Sequence, residues 1–109
     1  MKELTSMAEV KNLINNHEVS FIYVLTDSWS VCHGLLPQVE EVMKDFPKIE
    51  MGLVNAGKVE EIAGFLMAFT VPVLVLYVDG REYLREARIV PIERFRENVE
   101  KIYNGIYGE

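Results

Sequence analysis

Cys32 is the sole cysteine in a chain of 109 residues, and that bounds what its sulfur can do. A lone thiol cannot close a disulfide within the chain, so any disulfide it forms joins a second molecule. The thiolate is the nucleophile, and a position in the first turn of a helix favours it, while burial opposes it. The segment Asp27-Ser28-Trp29-Ser30-Val31-Cys32-His33 offers such a position, because Asp27 and Ser28 are good helix caps. His33 follows the sulfur directly and could tune it near neutral pH, although an exposed helical histidine is more often incidental. Ser30 would need a base to act as a nucleophile, and none is evident nearby. Cys32, His33 and His17 lack the spacing of a zinc site, so neither a metal nor another cofactor is expected.

The elements that must hold this segment can be read from periodicity. Leu4, Met7, Val10, Leu13 and Ile14 recur at helical spacing, with Thr5 or Ser6 as cap. Val19 to Leu25 is β-branched and aromatic, which predicts a strand buried on both faces. A second helix follows, with Leu35 or Leu36, Val39, Val42 or Met43, and Phe46 on its apolar stripe. Pro37 falls inside it and removes one backbone donor, and Pro47 ends it. Ile49, Met51, Leu53 and Val54 predict a strand, and Val59, Ile62, Leu66 and Phe69 a third helix. Val73 to Val78 and Arg81 to Ile89 predict a hairpin about Asp79-Gly80, with the charged second strand at a sheet edge. Pro91 opens a last amphipathic helix through Phe95, Val99, Ile102 and Ile106, ended by Gly105 or Gly108.

The order α-β-α-β-α-β-β-α predicts an α/β domain over residues 1–109, with a mixed sheet and helices on both faces. Half of the residues are hydrophobic and 26% are charged, as in ordinary soluble domains. The formal charge of −6 argues against nucleic acid and against acidic membrane surfaces as partners. The longest apolar run, Val71 to Val78, is too short to span a bilayer. Met1 to Ser6 has no signal-peptide character, so a cytoplasmic location is expected. Nothing in the pattern specifies an oligomeric state.

Three local patterns make the sequence similar to the thioredoxin family over nearly its whole length. An apolar strand runs into Trp29-Ser30-Val31-Cys32 and a helix in which Pro37 stands five residues after the cysteine. Thr70-Val71-Pro72-Val73 precedes an apolar strand and an Asp-Gly turn, as in the family's cis-proline loop. A final strand and amphipathic helix close the domain. The resemblance implies a thioredoxin fold: a βαβ unit plus a β-hairpin, with a C-x-x-C dithiol at the start of the second helix.

That dithiol is incomplete. Aligned on Pro37, Cys32 takes the second, resolving position and Trp29 replaces the first, attacking cysteine. An alternative register matches Trp29 to the family's tryptophan before the motif and puts Ser30 and His33 at the two cysteine positions. In either register the pair needed for dithiol turnover is missing. In the preferred one, Tyr23 stands where the family has a buried aspartate, and a phenol titrating near 10 is a poor base. Arg88 falls at about the family's small glycine beside the substrate groove.

The resemblance therefore implies a degenerate thiol-disulfide oxidoreductase. It would retain at most mixed-disulfide chemistry at Cys32, with a role in cell redox homeostasis. Cys32 could also be an inert packing residue. The alternative function is a non-redox module that binds a peptide or protein in a groove formed by Trp29, Val71, Pro72 and Arg88. Its main contact would be strand-like pairing at the Val71 backbone. A monothiol carrier of the glutaredoxin kind fits poorly, because those proteins keep the first cysteine.

Overall fold

A computed structural model describes residues 1–27 and 30–108, and of residues 30–33 the backbone alone. Within that range nine elements follow in order: β1 (Lys2–Leu4), α1 (Met7–Asn15), β2 (Val19–Leu25), α2 (Ser30–Met43), β3 (Glu50–Asn55), α3 (Glu61–Leu66), β4 (Val73–Val78), β5 (Arg81–Ala87) and α4 (Ile92–Tyr107). The five strands form one sheet in the order β1-β3-β2-β4-β5. β1 and β2 run parallel to β3, whereas β4 runs antiparallel to β2 and to β5. The expected mixed sheet is present, with an additional edge strand at the N-terminus.

Leu4 belongs to that strand and not to the first helix. It pairs with Val54, and α1 begins only after Ser6, whose hydroxyl accepts the Glu9 N–H at 3.2 Å. The Glu9 carboxylate reaches back to the Thr5 N–H at 2.7 Å, so two otherwise orphaned amides are satisfied. Leu4 stands three residues before Met7, a spacing that fits a helix as well as an inward-facing strand end. Gly52 leaves room for the Leu4 and Leu13 side chains to lie over it. A Cβ there would lie 2.9 Å from Leu4 Cγ and 3.1 Å from Leu13 Cδ2.

Successive side chains of β2 point to opposite faces, and all seven are buried. Phe21, Tyr23 and Leu25 meet Val39, Val42 and Met43 of α2 and Phe95 and Val99 of α4. Ile22 and Val24 meet Val10, Leu13 and Ile14 of α1 and Ile62 and Leu66 of α3. Helices thus cover both faces, and the aromatic mass lies under α2 and α4. Phe21 and Phe95 pack there with ring centroids 5.7 Å apart.

At the hairpin, Asp79 and Gly80 both have positive φ, 51° and 82°, as a two-residue turn with the strands' own twist requires. β5 ends at Ala87, and Ile89 beyond it is exposed. On β5, Arg85 clamps both carboxylate oxygens of Glu82 at 2.7 and 2.8 Å, holding Glu82 below the usual carboxylate range. Burial, with help from Glu82, pushes the Tyr77 phenol up to about 12.

The other three helices differ in extent from expectation. α2 ends at Met43, leaving Pro47 and the buried Phe46 beyond it. α3 is shorter, because Met67 adopts a left-handed conformation that closes the helix. Val59 is buried before it, and Phe69 lies beyond it and is 82% exposed. Pro91 caps α4 from outside the first turn, and left-handed Gly108 ends it, with Gly105 inside. No described helix is long and apolar enough to cross a membrane.

Candidate functional site

The topology gathers four chain segments at one end of the sheet. Val24 pairs with Val73, Leu25 with Asn55, and Val73 with Ala87. The exits of β2, β3 and β5 and the entrance of β4 therefore lie side by side. From them come the segment leading to Cys32, the turn at Ala56-Gly57, Arg88, and the loop that carries Val71 and Pro72.

Ser30, Val31 and Cys32 are the first three residues of α2. Cys32 thus lies in the first helical turn, where backbone N–H groups lack intrahelical partners and favour negative charge. Trp29 and the cap expected at Ser28 lie outside the described residues, as do the side chains of residues 30–33. Pro37 is inside α2, as the spacing predicts. Tyr23 is fully buried on the sheet face that α2 covers.

The Val71–Pro72 peptide bond is cis, Pro72 is buried, and Val71 is half-buried. Arg88 stands against this loop: its N–H donates to the Pro72 carbonyl at 2.9 Å. Arg88 is exposed and has φ of 69°, in the left-handed region where glycine is at ease and other residues are strained by about 1 kcal/mol. A position next to the loop that would suit glycine therefore carries a long cation.

A further residue organises the site and escaped the sequence reading. Asn55, 5% exposed at the end of β3, donates from Nδ2 to Asp27 Oδ1 at 3.0 Å. Its Oδ1 accepts the Gly57 N–H at 2.9 Å. One buried amide thus ties the segment after β2 to the turn after β3, and the Ala56 N–H donates to the Leu25 carbonyl beside it at 2.8 Å. Asp27, read as a helix cap, uses its carboxylate in this link. The only hint in sequence is a polar residue closing the apolar run Met51 to Val54.

A five-stranded mixed sheet with this order, covered on both faces and carrying a cis-proline loop beside the start of α2, is a thioredoxin fold. The fold matches the thioredoxin of Plasmodium falciparum with a TM-score of 0.84, at 21% identity over 93% of this chain and 98% of that one. It matches Fasciola hepatica thioredoxin with a TM-score of 0.83, at 25% identity and the same coverage. In sequence it is 44% identical over 112 residues to the thioredoxin-like protein YdfQ of Bacillus subtilis (strain 168), covering 100% of both chains. The chain belongs to the thioredoxin family. No protein-family model matches it.

Proposed function

We propose that this chain is a single-thiol member of its family that forms a mixed disulfide at Cys32 with a partner held along the Val71–Pro72 loop. The observation that carries the reading is the cysteine count together with the position of Cys32 in the first turn of α2. In the step, the Cys32 thiolate attacks one sulfur of a partner disulfide. One S–S bond forms, the old one breaks, and the partner's other sulfur leaves as a thiolate. A second thiolate, from the partner or a small-molecule thiol, then attacks the partner's sulfur in that bond, forming a new disulfide with it and releasing Cys32 as a thiolate. The partner is a protein or peptide, the setting is the cytoplasm, and the role is in cell redox homeostasis. Neither nucleic acid nor a membrane surface suits a chain of net charge −6.

Tyr23 favours a second reading. Where the resemblance places an acid beneath the motif helix, this chain has a buried phenol. On that reading Trp29, Val71, Pro72 and Arg88 bind a peptide without sulfur chemistry. Trapping separates the two. Lysate proteins are captured on the immobilised chain with alkylation of free thiols, then released with a reductant. The redox reading expects partners that elute only on reduction and vanish in Cys32→Ala. Equal capture by Cys32→Ala would leave the binding module in its place.

A further inference from the structure

Between β2, α3 and the loop before β4 the molecule keeps a cavity of about 350 Å³. The space is partly open to solvent, a pocket in the surface and not a closed void. Three alanines contribute short side chains to its wall: Ala56 after β3, Ala63 on α3 and Ala68 after it. The rest of the wall is branched and apolar, from Val24, Ile62, Leu66, Val71 and Val73. Thr26 and Thr70 contribute the polar side chains, and among the described residues no charged side chain lines the space. Phe69 and Thr70 are exposed and form its mouth.

We propose that this cavity binds a small uncharged molecule built on an apolar ring or short branched chain, with at most one hydrogen-bonding group. Apolar cavities hold water poorly, and one of about 150 Å³ suffices for benzene. The larger space here admits a bicyclic ring. A ligand charge would be stripped of water with no partner in the wall, which excludes ionised molecules of the same shape. A single N–H or hydroxyl can be met by Thr26 or Thr70. The inference does not rest on the thiol chemistry proposed for Cys32, although Val71 belongs both to this wall and to the loop proposed to hold a partner.

The test is an amide NMR titration of the full chain with indole and, in parallel, with benzoate. Indole is expected to give saturable shifts confined to residues around Ala63, Ala68 and Val71, with Kd on the order of 0.1–1 mM. Benzoate should bind at least ~10-fold more weakly. Ala63→Leu and Ala68→Leu each fill the space, and either one that retains the native spectrum should weaken indole at least ~10-fold. Saturable shifts around the cavity that favour indole over benzoate support the site even if neither variant folds. Absence of saturable shifts, shifts centred elsewhere, equal binding of benzoate, or undiminished binding in a folded variant would overturn it. Cys32 trapping is read separately from indole binding, so failure of one proposal is distinguishable from failure of the other.

Discussion

The segment that leaves β2 and the segment that enters β4 lie side by side, because Val24 and Val73 are paired. The second keeps the family's arrangement, a cis Val71–Pro72 bond ahead of an apolar strand. The first carries Trp29-Ser30-Val31-Cys32, with the chain's one cysteine. A thioredoxin fold is thus present with a single cysteine after β2. The strand pairs that position both segments do not involve the motif residues, so the proposed binding and the proposed sulfur chemistry can be tested apart.

Restoring the missing sulfur gives the largest expected effect. Trp29→Cys places two thiols three residues apart at the start of α2, and the second attack becomes intramolecular. Reductase activity toward a protein disulfide should rise on the order of 10²-fold or more above the single-thiol chain. A variant that forms its disulfide and stays inactive would favour the register in which Ser30 and His33 occupy the two cysteine positions.

The sheet's far end should respond to pH without touching either loop. Tyr77 titrates at about 12 in the folded chain and near 10 when unfolded, so its neutral form is favoured by folding. The associated stability is fully present below pH 10 and is lost as pH rises toward 12, by up to about 2–3 kcal/mol. Denaturation midpoints against pH should show that alkaline loss, and Tyr77→Phe should remove it. A Tyr77→Phe chain with the same alkaline limb would contradict the assignment.

Asn55 tests whether the loop after β2 is anchored. Asn55→Ala leaves Asp27 and the Gly57 N–H without their partner and should cost about 1–2 kcal/mol by urea denaturation. It should also alter the alkylation rate of Cys32, which a purely stabilising role elsewhere in β3 would not do. The smallest effect is expected at Arg88. Arg88→Gly relieves the left-handed backbone and should change stability by no more than about 1 kcal/mol in the favourable direction. Destabilisation there would mean that the Arg88 side chain holds the loop.

The sequence discloses the scaffold where signals are long or chemically strict. β2 and β4 are continuous apolar runs, Asp79-Gly80 is a turn whose residues tolerate positive φ, and α4 repeats its apolar residues at steps of three and four. β1 was hidden because three residues give no period and Leu4 fits the helical spacing of its successors. The end of α3 was hidden because left-handed Met67 is not a residue that signals a stop. At the site, the Cys32–Pro37 interval and Thr70-Val71-Pro72-Val73 were legible, being local patterns. The Asn55–Asp27 link joins residues 28 apart in the chain and exists only once β2 and β3 pair. The alanine-lined cavity is likewise a product of packing, since Ala56, Ala63 and Ala68 come together only when α3 docks.

The account turns on whether Cys32 acts as a thiolate. Its alkylation rate should be followed against pH, with the mass of the chain recorded after incubation with glutathione disulfide. A titration midpoint below the ordinary thiol value of about 8.5, with a mixed disulfide at Cys32, is the predicted result. A midpoint at or above about 8.5 and an unmodified chain would contradict single-thiol chemistry.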